Sequence, residues 1–196
     1  MKKAIKKIIS LVVVIGIVVF LILFMKNKIN NADTNTELTD AVSGLTEYLQ
    51  SSYSNITLTE AVVTKVVDGD TLWVTIDGKE EKVRLIGIDC PEYTKEIEPY
   101  GKEATEFTTN ELLGKTVYLQ KDVSDTDSYD RLLRYVWTED ISDNLTDENI
   151  LDYLFNNKLV EEGLAESNYY APDILFQVFL EQTETQAKEN KKGMWQ

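Results

Sequence analysis

From Thr59 onward, apolar positions first repeat every second residue, the period of a strand with one face buried. Ala61–Val67, Thr71–Ile76 and Lys82–Ile88 follow this pattern, and Asp77-Gly78 makes the second junction a two-residue hairpin. The period then lengthens. Pro99 opens a helical stretch that runs through Leu113 and is stopped by Gly114. Two further strands are predicted at Thr116–Lys121 and Leu132–Trp137, and helices at Leu151–Gly163 and Pro172–Glu189. Five strands with helices attached predict an α+β domain over residues 59–196, compatible with a small closed barrel.

The first quarter of the chain is patterned differently. Ile8–Met25 is an apolar run broken only by Ser10 and Gly16, with four lysines before it and Lys26 and Lys28 behind it. A run of this length lies at the lower edge of a membrane-spanning helix and exceeds the usual apolar core of a cleaved leader. Residues 1–29 are therefore expected to be a transmembrane anchor, with a signal peptide as the alternative. The lysines in front favour a cytoplasmic N-terminus, hence a single-pass cell-membrane protein with an extracellular domain, or a secreted one if the leader is cut. Residues 30–58 read as a polar tether, with a short amphipathic helix carried by Leu38, Ala41, Val42, Leu45, Tyr48 and Leu49.

Composition narrows the chemistry more than it narrows the fold. The chain has 196 residues, no histidine and one cysteine. A histidine base, a Ser-His-Asp triad, a histidine-bound zinc and an internal disulfide are all excluded. Carboxylate, arginine, lysine, tyrosine and a metal ion remain. The net charge is −14; residues 1–30 hold six of the 20 bases and none of the 34 acids, so the remainder carries 14 bases against 34 acids, a net −20. That field opposes a polyanionic partner. Binding one would require Arg84, Arg131, Arg134, Lys121 and a bound cation to make a local positive field within an acidic surface.

Two short segments carry candidate chemistry: Val67-Asp68-Gly69-Asp70-Thr71, and Arg84-Leu85-Ile86-Gly87-Ile88-Asp89-Cys90-Pro91-Glu92. Both place carboxylates at strand ends beside glycine or proline corners. Hard oxygen ligands, a guanidinium for phosphate and a spare carboxylate are the parts of a metal-assisted phosphodiester hydrolase. Taken singly, Asp89 reads equally well as a turn aspartate before proline, Glu92 as a surface glutamate, and Arg131 as a partner of Asp127 or Asp130.

In order and spacing these segments resemble the thermonuclease (staphylococcal nuclease-like) family. The likeness continues through Tyr100-Gly101-Lys102-Glu103-Ala104, Asp127 to Leu132, Glu162-Gly163-Leu164-Ala165 and Gly193-Met194-Trp195. The resemblance implies a five-stranded OB-fold barrel with about three helices, acting as a calcium-dependent nuclease that hydrolyses DNA and RNA with little sequence preference and leaves 3′-phosphate ends. It further implies Asp70, Asp89 and the main-chain carbonyl of Cys90 as Ca2+ ligands, Arg84 and Arg131 as the phosphate clamp, and Glu92 as the group that positions or activates water. Tyr129 and Tyr169 are implied to line the nucleotide pocket. The family's lysine before the first tyrosine is Ser128 here, its glycine after it is Asp130, and a second pocket tyrosine is Ala171, departures that predict weaker nucleotide affinity. The domain is expected to act as a monomer. A non-catalytic nucleic-acid or protein-binding module on the same fold is the alternative, disfavoured by the presence of all five of Asp70, Arg84, Asp89, Glu92 and Arg131.

Overall fold

The computed structural model describes residues 56–94, 97–142 and 146–196, which belong to one unit, Tyr53–Gln196. The alternating segments become β1 (Leu58–Asp68), β2 (Thr71–Ile76) and β3 (Lys79–Leu85), followed by a two-residue β4 (Ile88–Asp89). Helix α1 (Gly101–Leu112) leads into β5 (Thr116–Gln120) and β6 (Leu132–Trp137). Helices α2 (Asp147–Tyr153) and α3 (Phe155–Glu161), strand β7 (Glu166–Ser167) and α4 (Gln177–Glu189) complete the domain.

β1, β2, β3, β6 and β5 close into a barrel in that order. Only β3 and β6 run parallel. Register shifts in β1 after Val63 and after Val66 bend it enough to pair with β2 along one part and β5 along another. The inward positions Val63, Leu72, Val74, Val83, Leu85, Val117 and Tyr135 are fully buried. Closure leaves these strands no free edge. The five-stranded barrel is thus the one expected, and the hairpin at Asp77-Gly78 has positive φ at both residues, as a type I′ turn requires.

Helix α1 lies against β1 and buries Gly101, Ala104, Thr108 and Leu112, a stripe at helical spacing. It begins two residues after Pro99, because Tyr100 takes a left-handed conformation as the N-cap.

Three element boundaries differ from expectation. Leu151–Gly163 is not one helix: Thr146 caps α2 through the Asn149 N–H, and Leu154 then leaves helical geometry to bridge Trp137 while its side chain enters the core. Helix α4 starts at Gln177 rather than Pro172, because Asp173 is committed to accepting the Val123 and Ser124 N–H groups. The segment read as Lys82–Ile88 breaks at Gly87, whose φ of 77° ends β3 and turns the chain into β4, paired with β7. At two residues, β7 is too short to show a period. Four helices, rather than about three, therefore flank the barrel among the described residues. None of them is long and apolar enough to cross a membrane. The run Ile8–Met25, the rest of the expected anchor and the tether stripe at Leu38–Leu49 lie outside the described residues.

Candidate active site

The turn between β1 and β2 sets the first carboxylate. Gly69 has to be a glycine, since a Cβ there would stand 2.7 Å from Cys90 Sγ and 2.9 Å from Ala104 Cβ. Its carbonyl accepts the Thr108 hydroxyl at 2.7 Å, which fastens the turn to α1. Asp70, next in sequence, is buried at 1 % exposure, and every contact given for its carboxylate is with a donor. Thr71 Oγ1 donates to Oδ1 at 3.1 Å, the Cys90 N–H donates to Oδ2 at 2.8 Å, and Arg84 Nη1 also reaches Oδ1. Three donors thus satisfy a carboxylate that has almost no access to solvent.

Arg84 comes from β3, where it pairs in register with Thr71. Its guanidinium bridges two acids: Nη1 to Asp70 and Nη2 to Asp89 Oδ1 at 2.5 Å, with Ile88 C=O a further acceptor at 3.3 Å. Asp89 is exposed, whereas Asp70 is not. The structure therefore brings together four of the residues singled out above: Asp70, Arg84, Asp89 and the backbone of Cys90. The Cys90 thiol turns the other way. It is buried against Gly69, and burial pushes its ionisation far above the ordinary thiol range, so its sulfur is no ligand.

Arg131 sits at the head of β6, beside β3. Asp127 fixes it: Arg131 Nε donates to Oδ2 at 2.6 Å, and the N–H groups of Tyr129 and Arg131 donate to Oδ1. Burial acts to raise the Asp127 carboxyl, but these Arg131 and Tyr129 hydrogen bonds outweigh it and hold the group below the usual carboxylate range. The Tyr129 ring, 79 % exposed, lies 5.5 Å from the Arg131 guanidinium carbon. Asp130 takes a positive φ of 59°, the conformation a glycine would adopt freely.

Glu92 follows the Cys90-Pro91 corner and is exposed. Its N–H donates to Glu98 Oε2 and its C=O accepts from the Glu98 N–H, both at 2.9 Å. Gly101 packs so closely that a Cβ would stand 2.4 Å from the Glu92 carbonyl oxygen. Tyr169 lies two residues past β7, 63 % exposed, on a segment whose Asn168 N–H bonds Gly87 C=O. The β4–β7 pairing thus keeps Tyr169 near the rim that carries Asp89, and Tyr170 beside it is 55 % exposed.

The sequence reading passed over Asp68. Its Oδ1 accepts the Asp70 N–H at 3.3 Å; burial raises its carboxyl, while Thr71, Arg84, Lys82 and Arg131 oppose the rise. Arg84 and Arg131 come from neighbouring strands, since β3 pairs with the start of β6. The signal of Asp68 was the second acid of the Asp68-Gly69-Asp70 turn. The expected positive field is not met by side chains alone. Arg84 faces Asp70 and Asp89, Arg131 faces Asp127, and both Arg134 and Lys121 face Asp125. Arg134 also donates to the carbonyls of Asp125 and Leu133, which makes it a loop fastener.

The family model described as "Staphylococcal nuclease homologue" matches residues 82–196. The chain belongs to this family. It is 40 % identical over 136 residues to the thermonuclease of Staphylococcus hyicus, covering 68 % of this chain and 73 % of that protein. To the thermonuclease of Staphylococcus intermedius it is 37 % identical over 138 residues, 69 % of this chain and 75 % of the relative. Endonuclease YncB of Bacillus subtilis is 31 % identical over 151 residues, 74 % and 64 % of the two chains. In this staphylococcal nuclease homologue the model match begins inside β3, so Arg84, Asp89, Glu92, Arg131 and both tyrosines lie within it and Asp70 lies before it.

Can these residues hold a cation? Among the described residues no three Asp, Glu, Cys or His side chains group as a metal cluster. Two carboxylates meet at Arg84, which offsets one of their two charges. The remaining charge and the hard carboxylate oxygens of Asp70 and Asp89 suit a divalent cation that takes oxygen ligands.

Proposed function

We propose that the protein is a calcium-dependent nuclease that hydrolyses phosphodiester bonds of DNA and RNA with little sequence preference. As a staphylococcal nuclease homologue with thermonuclease and endonuclease relatives, it is a nuclease hydrolase. The observation that carries the finer reading is the Arg84 guanidinium bridging Asp70 and Asp89 at the barrel rim.

Asp70, Asp89 and the Cys90 carbonyl would hold the calcium ion. Bound there, it would supply Lewis-acid stabilisation of charge on a phosphoryl oxygen. With a cation on those carboxylates, Arg84 would be free to present its N–H pairs to the phosphate. Arg131, already aimed by Asp127, presents its remaining guanidinium N–H groups from β6. Two planar forks stabilise the charge that builds on equatorial oxygens as water attacks in line. Glu92, bracketed by Glu98, orients that water and accepts its proton. By family analogy the leaving group is the 5′ oxygen, so 3′-phosphate ends remain. Tyr129 and Tyr169 cover sugar or base faces without reading sequence.

The test is hydrolysis of DNA and RNA by the purified chain in calcium and after exhaustive chelation. Activity should vanish on chelation and return with calcium; undiminished activity would overturn the metal role. We further propose that the lysine-flanked run Ile8–Met25 anchors the enzyme with its domain outside the cell, where calcium is abundant. Protease added to intact cells should then remove the domain, and protection would reverse the orientation.

A further inference from the structure

The β5–β6 loop, which carries Asp127, Tyr129 and Arg131, is fastened to the segment between β7 and α4 by two carboxylates acting reciprocally. Asp173 Oδ1 accepts the Val123 N–H at 3.0 Å and the Ser124 N–H at 2.7 Å. Asp122 Oδ2 accepts the Leu175 N–H at 3.0 Å. Each acid thus bonds backbone within two residues of the other, which brings the two carboxyls into one neighbourhood. The Tyr135 hydroxyl, from β6 behind them, hydrogen-bonds to Asp122 and accepts the Phe176 N–H at 3.5 Å.

Two features of this clasp do not fit a pair of ordinary ionised aspartates. Asp173 is 0 % exposed, and its Oδ2 is a buried acceptor without a hydrogen-bond partner. The ionisable groups that face the pair are the two acids and Tyr135, none of them cationic. Lys121, next in the chain, is half exposed and turned to Asp125, and Arg134 is spent on the same aspartate. With Asp173 fully buried, Asp122 half-buried and no counter-charge between them, two ionised carboxylates here would repel each other and leave an acceptor unsatisfied.

We propose that the Asp122 carboxyl keeps its proton and donates it to the unpartnered Asp173 Oδ2, forming a pH-sensitive clasp that positions the Arg131 loop. Burial raises the Asp122 carboxyl above its ordinary range; the Leu175 N–H opposes this and the Asp173 charge adds to it. The sign follows. A carboxyl raised in the folded state keeps its proton where the unfolded chain has lost it. Stability is therefore highest near pH 4 and declines as pH climbs through the folded value. Asp122 and Asp173 touch no reacting atom; they are positioning residues, and their effect on substrate rests on the nuclease reading above.

The experiment is thermal unfolding of the full-length chain from pH 4 to 9, for wild type, Asp173→Asn and Asp122→Asn. Either amide supplies the missing donor permanently while keeping an oxygen for the backbone N–H groups. Each variant should unfold roughly 4 °C above wild type at pH 8, with the gap closing toward pH 4. Either variant alone decides the matter if the other fails to fold. A gap that does not change with pH, or a wild-type pH dependence retained in the variants, overturns the proposal. So does a gap that depends on added potassium or calcium, since a cation would then occupy the clasp in place of a proton. The second readout is kinetic: the wild-type KM for DNA should rise with pH more steeply than that of Asp173→Asn, at similar kcat. An unfolding result as expected with no such difference keeps the proton and removes the link to substrate, so failure of the nuclease reading is separable from failure of the clasp.

Discussion

Arg84 holds the two carboxylates that would otherwise repel each other, and in the reaction it must also serve phosphate. Arg84→Lys preserves a positive charge but can neither bridge Asp70 and Asp89 in the free enzyme nor fork onto two phosphate oxygens in the reaction. Arg131→Lys likewise loses the Nε donor to Asp127. Each substitution is expected to lower kcat/KM by about 10²–10³-fold with circular dichroism unchanged, and near-native turnover in either would remove that residue from the clamp. Asp127 gives a separate test. Its folded-state carboxyl lies below the usual value, so its stabilisation is full above the unfolded value near 4 and is lost as pH falls through the folded one. Asp127→Asn should therefore be less stable than wild type at pH 7, with the difference shrinking in acid below about pH 4; a constant difference across that range would assign the loss to packing. At this scale the sequence was informative where a residue type is chemically forced. Asp70, Arg84 and Asp89 could be named because their order and spacing match the family's motifs; strand ends at a barrel rim made it possible for the two carboxylates to meet, and taken singly Asp89 reads as a turn aspartate. Asp68 was given no role, and Asp127 only that of one of two possible partners for Arg131, because a role that consists of holding another side chain has no signature of its own in a single chain; the structure selects Asp127 over Asp130.

At the scale of elements, alternation and turn chemistry carried the barrel. β1, β2, the Asp77-Gly78 hairpin, β5 and β6 were legible to within a few residues, because each has one buried face that sets its period. What escaped was decided by contacts distant in sequence. Leu154 breaks a continuous helical pattern to bridge Trp137, and Asp173 delays α4 by bonding residues fifty positions earlier. Gly101 joins this scale to the site. It opens α1 and lies under the Glu92 carbonyl, with 2.4 Å between that oxygen and the place a Cβ would occupy. Gly101→Ala must push the Glu92 corner or the helix start aside, at a cost of about 1–3 kcal/mol. Because Glu92 is held through its backbone, kcat should fall more than KM. An alanine variant with full kcat would show that the corner yields without moving the carboxylate.

At the scale of the whole molecule, the acidic surface and a polyanionic substrate are in tension, and the size of the tension can be measured. The net charge is −14, and the cations nearest the site are each already matched with an aspartate. Composition gave the sign of this field; it could not show that the local positive patch is cancelled side chain by side chain, since that depends on which loop meets which strand. A nuclease that held DNA by a broad basic footprint, with six to ten phosphate contacts, would lose about 10³–10⁵-fold in affinity between 50 and 200 mM salt. Here the structure offers two guanidiniums for phosphate, Arg84 and Arg131. With a slope of about −0.9 per phosphate neutralised, two contacts give roughly a tenfold weakening over the same range. Steady-state KM for a DNA substrate, measured at fixed calcium across that salt range, should rise by about that factor. A rise beyond a hundredfold would mean that lysines touch the substrate as well; no rise at all would mean that stacking on Tyr129 and Tyr169, rather than phosphate, holds it. The tenfold outcome would fit an enzyme that applies positive charge only where the transition state needs it and keeps an acidic surface elsewhere.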